Sequence, residues 1–256
     1  MNLIIETEIE RIINFINETI QDSKAKGIIL GLSGGIDSAL TGALCVRALG
    51  KSRVFALLLP IHSPETDLDD AKLMANYLGI RYEIIDLTES FEILLKALSH
   101  TQKPKELVKA NLKPRLRMMA LYYFANQLNY LVAGTGNRSE KEIGYFTKYG
   151  DGAADFLPIL HLYKKDVREM AKYLKIPKKI IDRKPSAGLW EGQTTEGEVS
   201  QQLGFPISYD KLDEMLENLA NNTFDPDNME YQNLLKLREK NRHKSQLPPS
   251  LLNQNT

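Results

Sequence analysis

Cysteine is nearly absent from this 256-residue chain, which has one, Cys45. A single thiol excludes an intramolecular disulfide framework and a cysteine-rich zinc site. It points to a reducing compartment, the cytoplasm. Excess charge is missing as well. Lys plus Arg number 33 and Asp plus Glu number 33. That balance argues against a strongly basic nucleic-acid binder or an acidic tail, although a local patch can hide inside a zero sum. Long apolar runs are lacking too, since the longest, residues 54–59, falls far short of a membrane span. The N-terminus, MNLIIETEIERII, carries acids every few residues and does not read as a signal peptide. Neither nucleic acid nor membrane is therefore an expected partner. There is no internal repeat and no low-complexity tract.

What is present is an alternation of strand-like and helix-like segments. Ile5, Ile9, Ile12, Ile13, Ile16 and Ile20 recur at helical spacing, so residues 3–24 read as an amphipathic helix. Short, almost wholly apolar runs at 27–32, 53–59, 81–87 and 130–133 read as buried strands, with a short fifth at 158–160. Helices are expected at 37–49, at 88–99, at 105–128 and at 163–174. Another runs to Leu78 behind a capping box at Thr66 and Asp69. Apolar strands alternating with helices imply an α/β fold, a doubly wound, mostly parallel sheet covered on both faces. The length suits one such domain over 1–256, made of an N-terminal helix in 1–26, the sheet, and C-terminal helices and tail in 208–256. Residues 182–200 are rich in Gly, Pro, Ser and Thr and have little periodicity. Unstructured stretches of that length tend to be functional or disordered, and this one reads as a mobile loop.

The most informative stretch is Gly31-Leu32-Ser33-Gly34-Gly35-Ile36-Asp37-Ser38, set between a strand and a helix. Ligands of open α/β sheets bind at such junctions. Glycines let the backbone turn its N–H groups toward an anion, serines add hydroxyl donors, and the helix start adds positive potential. The loop has no lysine, so it is not a Walker A motif. An aspartate beside a polyphosphate repels it unless a cation lies between them, which makes Asp37 a candidate Mg²⁺ ligand. On spacing alone it also fits an ordinary glycine-rich turn with Asp37 as a helix cap.

A second cluster follows the fourth strand. Gly134-Thr135-Gly136-Asn137-Arg138-Ser139-Glu140 is one residue away from G-x-G-x-x-G. A dinucleotide-binding Rossmann fingerprint belongs near the first strand, with an acid ending the next one, and neither condition is met. Gly144-Tyr145-Phe146-Thr147-Lys148-Tyr149-Gly150-Asp151-Gly152-Ala153-Ala154-Asp155 sets ionisable side chains among glycines, which suits a polar binding loop or a plain surface loop.

The S-G-G-x-D-S run resembles the pyrophosphate loop of the N-type ATP pyrophosphatases. Residues 134–164 narrow the resemblance to ammonia-dependent NAD synthetases, whose fold is adenine nucleotide alpha hydrolase-like. Lys184-Pro185-Ser186-Ala187-Gly188-Leu189, Asn111 through Arg115 and Arg117, and His243-Lys244 are similar to further motifs of that family, in the family's order, over about 27–248. Ser186 departs from the threonine common there, and either hydroxyl can donate to phosphate.

The resemblance implies ATP-dependent amidation of deamido-NAD. ATP adenylates the nicotinate carboxylate, pyrophosphate leaves, and ammonia displaces AMP. It implies that Gly31, Leu32, Ser33, Gly34, Gly35, Ile36, Asp37 and Ser38, with Thr135, Lys164 and Ser186, bind ATP. It further implies that Asp37 and Glu140 hold Mg²⁺, and that Arg115, Lys148, Asp155, His243 and Lys244 bind deamido-NAD. Asp151 is the candidate for handling ammonia. Taken singly, Lys164 also fits a solvated lysine, Arg115 an exposed helix face, Glu140 a helix-start acid and Asp151 a turn. The family is homodimeric, and the apolar faces of 3–24 and 105–128 point the same way. Glutamine-dependent relatives carry an amidase domain with a cysteine nucleophile. With about 25 residues before the first strand and Cys45 beyond it, free ammonia is the expected donor. Zero net charge and one cysteine count against a tRNA-modifying enzyme, and the absence of glutaminase and dimerisation segments counts against a GMP synthetase. A nucleotide sensor without turnover would have no need of Asp37, Glu140 and Lys164 together.

Overall fold

The computed structural model describes residues 2–99, 104–186 and 194–250. In chain order the elements are α1 (Asn2–Ser23), β1 (Gly27–Gly31), α2 (Ile36–Leu49), β2 (Val54–Leu58), α3 (Glu65–Leu78), β3 (Arg81–Ile84), α4 (Thr88–Leu98), α5 (Glu106–Ala110), α6 (Leu112–Leu128), β4 (Tyr130–Val132), α7 (Arg138–Ile143), α8 (Lys164–Tyr173), α9 (Lys178–Ile181), α10 (Thr195–Leu203), α11 (Tyr209–Ala220) and α12 (Met229–Asn241). The strands form one parallel sheet in the order β3-β2-β1-β4.

Side-chain alternation along each strand splits the core into two layers. Ile28, Leu30, Val54, Ala56 and Leu58 face a cluster supplied by α1, α2 and α8, whereas Ile29, Phe55, Leu57 and Val132 face α6. This is why the strands read as unbroken apolar runs. The helix α1 lies outside α2 and α8, and its Ile9, Ile12, Ile16 and Ile20 are all buried. Each such side chain contributes about 1.5–3 kcal/mol through the water it leaves behind.

The chain moves outward from β1 through α2 to β2 and β3, then returns through α6 to place β4 on the other side of β1. The carboxyl ends of β1 and β4 therefore flank the point where the winding reverses, the crevice where open sheets bind ligands. A third apolar cluster, with Val199, Leu203, Tyr209, Leu212, Leu216, Leu234 and Leu237, binds α10, α11 and α12 to Ile143 of α7 and to Tyr163.

Several local expectations are corrected. Residues 158–160 form a turn, and the extra pairing beyond β4 is a single parallel bridge between Ala133 and Phe156. Pro158 has no N–H to give to a ladder. The expected helix at 105–128 breaks after Ala110, because Pro114 cannot donate to the Ala110 carbonyl and its ring crowds that position. No capping box forms at Thr66, which lies inside the first turn of α3 behind Pro64. The expected loop at 182–200 is shorter than its composition suggests. Residues 195–200 belong to α10, where the Thr194 side chain accepts from Gly197 N–H, and Thr195 N–H donates to Pro185 O at 3.1 Å. Residues 187–193 lie outside the described part.

Candidate functional site

The backbone leaves β1 through Leu32 and Ser33 and turns at Gly34, whose φ is +78°. A side chain there would be strained, and its Cβ would sit 2.8 Å from both the Asp67 carbonyl and Asp70 Cβ. Glycine is required for both reasons. The Ser38 hydroxyl donates to Gly35 O at 2.9 Å, Gly35 N–H donates to Ser33 Oγ at 3.3 Å, and the two hydroxyls lie 3.1 Å apart. Gly35 starts α2 without a side-chain cap, so the first-turn N–H groups face the crevice with no side-chain acceptor. That is an anion cradle. Asp37 is not the cap; it lies within the first turn.

Side chains from three further elements converge on Asp37. Asn137 donates from Nδ2 to one carboxylate oxygen at 2.9 Å, and Lys164 Nζ donates to the other at 2.5 Å. Lys164 also stands 4.0 Å from Glu140 Oε1. Tyr209 donates its hydroxyl to that same oxygen at 3.2 Å and places its ring 5.0 Å from the lysine nitrogen. The Lys164 side chain is only 2 % exposed. The sequence allowed a solvated lysine there, and packing excludes it. Burial opposes its charge, but Asp37 and Glu140 outweigh that and hold its pKa above the ordinary lysine value. Burial, and then the Asp37 carboxylate, push Glu140 up to about 7. Two carboxylates thus share one lysine, and Glu140 is left to take up a proton or a cation.

A buried relay holds this cluster in place. Asp213 accepts a short hydrogen bond from the Ser139 hydroxyl and, at 2.9 Å, one from Lys165 N–H, while Ser139 Oγ accepts from Lys164 N–H at 2.9 Å. One carboxylate on α11 thus fixes the first turn of α8. Asn137 also caps α7 by accepting from Glu140 N–H at 3.0 Å.

The loop at 144–152 forms the opposite wall. Its backbone carbonyls collect cations. Lys244 Nζ donates to Gly144 O at 2.7 Å and Phe146 O at 3.2 Å, Arg115 donates to Lys148 O at 3.3 Å, and Lys148 Nζ donates to His243 O at 2.6 Å. Asp151 accepts from Thr147 N–H at 2.9 Å, and burial of its carboxyl raises its pKa. Asp155 lies apart at the sheet edge, where it accepts from Val132 N–H at 2.7 Å and from the Tyr122 hydroxyl at 3.3 Å. Thr135 follows β4, half-buried, at the mouth of the crevice. Ser186 follows Pro185, at the end of a segment whose Arg183 pairs with Asp67 at 2.5 Å and Asp70 at 3.1 Å behind Gly34.

The structure thus brings Asp37, Glu140 and Lys164 into one cluster and Arg115, Lys148, His243 and Lys244 into another, and leaves Asp155 outside both. Sequence reasoning missed Asn137, Tyr209, Asp213 and Arg183. Asn137 had a readable signal, an N-cap residue three before a glutamate. The others reach the site from distant helices and carry no local signature.

A parallel α/β sheet with a lysine-free glycine-rich loop at its switch point, faced by two carboxylates and a buried lysine, defines a nucleotide-binding enzyme. Residues 8–248 match the NAD synthase family. The chain is 46% identical over 246 residues to the NH(3)-dependent NAD(+) synthetase of Archaeoglobus fulgidus, covering 95% of this chain and 96% of that one. Among solved structures it is similar to an NMN synthetase from Francisella tularensis, with TM-score 0.85, 34% identity, and 96% and 98% of the two chains covered. It is also similar to an NH3-dependent NAD synthetase from Campylobacter jejuni, with TM-score 0.80, 34% identity and the same coverage. The chain belongs to the NAD synthase family.

Proposed function

We propose how the residues of this site divide the work of a ligase that forms a C–N bond: the ATP-dependent amidation of deamido-NAD to NAD with ammonia. The observation that carries the assignment is Lys164, buried, bonded to Asp37 and 4.0 Å from Glu140 beneath an uncapped helix start.

The backbone N–H groups at residues 34–38, with the Ser33 and Ser38 hydroxyls, hold the leaving pyrophosphate of ATP. Gly31, Leu32 and Ile36 shape that loop. Lys164 neutralises charge that grows on the phosphates as the bond breaks, and Thr135 and Ser186 donate to the nucleotide. Arg115, Lys148, His243 and Lys244 position deamido-NAD, with Asp155 contacting it at the rim. Two carboxylates on one cluster, one of them raised to about 7, fit a divalent cation that takes one or two carboxylates plus phosphates. Asp37 and Glu140 would hold Mg²⁺, which when bound neutralises the pyrophosphate charge. A nicotinate carboxylate oxygen attacks the α-phosphorus, and the bond to the pyrophosphate oxygen breaks. Ammonia then attacks the acyl carbon and AMP leaves. Asp151, with its pKa raised, takes the proton that the nitrogen sheds.

One catalytic domain spans 1–256 in this reading, acting in the cytoplasm. No helix of the described residues is long and apolar enough to cross a membrane. A homodimer is part of the same proposal. Ile93, Leu107, Val108, Met119 and Tyr123 are exposed on the outer side of α4 to α6, an apolar surface suited to a second copy.

The likeness to the NMN synthetase favours a second reading, in which the site amidates nicotinate mononucleotide. Both readings are tested together. The purified chain is incubated with ATP, Mg²⁺, ammonium and either substrate, and AMP and amidated product are measured. Equal formation of AMP and NAD, with a higher kcat/KM for deamido-NAD, supports the first reading. Preference for the mononucleotide selects the second, and AMP with neither substrate overturns both. Sedimentation at micromolar concentration tests the dimer, which a monomer refutes.

A further inference from the structure

One guanidinium in the crevice has no assigned task. Arg117 on α6 donates from Nε to Leu59 O at 2.9 Å, just past the end of β2. Among the described residues it forms no ion pair with a carboxylate. The two acids facing it are engaged elsewhere: Asp67 pairs with Arg183 at 2.5 Å, and Asp151 accepts from Thr147. One turn earlier on the same helix face, Lys113 is only 7 % exposed. Both cations have depressed pKa values, in each case chiefly through burial, and Lys113 also through Arg117. A guanidinium carries five N–H donors in a planar fork matched to carboxylate and phosphate oxygens. Arg117 is half-buried and gives only Nε to Leu59 O, so its remaining donors are free to be completed by an anionic ligand.

The position of Arg117 says which ligand. Asp67, which it faces, packs its carbonyl against Gly34 of the phosphate loop. Asp151, also within its electrostatic reach, belongs to the loop that carries Lys148 and lies within electrostatic reach of Glu140. Arg117, anchored at the carboxyl end of β2, is therefore within electrostatic reach of both the nucleotide wall and the substrate wall. We propose that Arg117 is a catalytic residue of the adenylation step, donating to the attacking carboxylate and the α-phosphoryl group together. This rests on the amidation reading above. The two reactants are both anions, and their mutual repulsion opposes the approach of the carboxylate oxygen to phosphorus. A fork of donors shared between them offsets that repulsion and strengthens as charge gathers on the equatorial oxygens. Arg117 keeps its proton throughout; the only bonds that change are the new O–P bond and the severed bond to pyrophosphate.

The competing role is structural, with Arg117 merely tying the segment after β2 to α6 through Leu59 O. Deamido-NAD-dependent exchange of labelled pyrophosphate into ATP, which needs no ammonia, separates the two roles. Arg117→Met is expected to lower exchange and kcat by about 100-fold or more, with KM for ATP changed less than about threefold. Its melting temperature should stay level, because a half-buried side chain loses only its bond to the Leu59 carbonyl. Added guanidinium ion at millimolar concentration should restore part of the exchange. Arg117→Lys should recover only part of it, because the fork is lost. Exchange within about threefold of the parent enzyme in Arg117→Met overturns the role, as does a fall in melting temperature accompanied by a loss that guanidinium does not restore. Parent enzyme that shows no exchange with deamido-NAD or with nicotinate mononucleotide overturns the amidation reading itself, and with it the role of Arg117.

Discussion

The two walls of the crevice satisfy their charges in opposite ways. On the phosphate-loop wall, Asp37, Glu140 and Lys164 are held by side chains, with Asn137 and Tyr209 completing the shell. The surplus there is negative. On the facing wall, Arg115, Lys148 and Lys244 bond backbone carbonyls, and Arg117 does the same after β2. Carbonyls orient a cation without cancelling its charge, so the surplus there is positive. In the proposed function one wall takes a cation and the other an anion. An ATP-dependent ligase with an anionic cosubstrate needs that pairing, and the zero net charge of the chain conceals it.

The sharpest way to break the contrast is Lys164→Met. It leaves Asp37 and Glu140 facing each other with no cation, a cost of about 3–5 kcal/mol for one lost partner of a buried pair. Thermal melting without Mg²⁺ should show a large drop, pyrophosphate exchange should vanish, and added Mg²⁺ should recover part of the stability. A melting temperature equal to that of the parent would mean the two carboxylates are not coupled through the lysine.

Next in size is Asp37→Ala. The fold should survive by circular dichroism, while Mg²⁺-dependent adenylation falls about 100-fold or more, the scale of losing one electrostatic contact at the reacting phosphates. Full activity would remove Asp37 from the metal site.

A smaller effect is expected on the facing wall. Lys148→Ala should raise KM for deamido-NAD by roughly tenfold, the scale of one charge-assisted hydrogen bond, and leave KM for ATP nearly unchanged. Equal losses for both substrates would place Lys148 on the nucleotide wall instead.

The smallest response is expected at Cys45. Burial in α2 pushes its thiol up to about 12. The thiolate is the reactive form, and a raised pKa keeps the thiol protonated through neutral and mildly alkaline pH. Iodoacetamide at pH 8 should leave native protein unmodified and label it only after unfolding in urea. Labelling at the native rate of a small thiol would show that α2 opens locally.

Much of the fold was legible because its signals are local. The helical spacing of Ile9, Ile12, Ile16 and Ile20 and the apolar strands each declare themselves within a dozen residues. Errors fell where a local rule met a neighbour's constraint. Pro114 cut one helix into α5 and α6, Pro158 blocked a ladder, and tertiary contacts to Tyr209 N–H and Tyr145 anchored Glu196 and Glu198 of α10 in a stretch that composition made a loop. Site legibility followed the same line. The loop at residues 31–38, and Glu140 with Asn137, lie in compact motifs. Tyr209 and Asp213 approach Glu140 and Ser139 across 69 and 74 residues of chain, and no spacing rule spans that distance.

By itself, then, the sequence determined the alternation of buried strands and helices, the anion cradle at Gly34–Ser38 and the residue types around it. Local backbone chemistry and hydrophobic periodicity are written within a few turns of chain. Only the tertiary structure decided which charges meet. Folding buries Lys164 between two carboxylates and leaves Arg117 without one, because the energy of a charge depends on its partners and on the water excluded around them. Both are fixed by contacts between segments far apart in the chain.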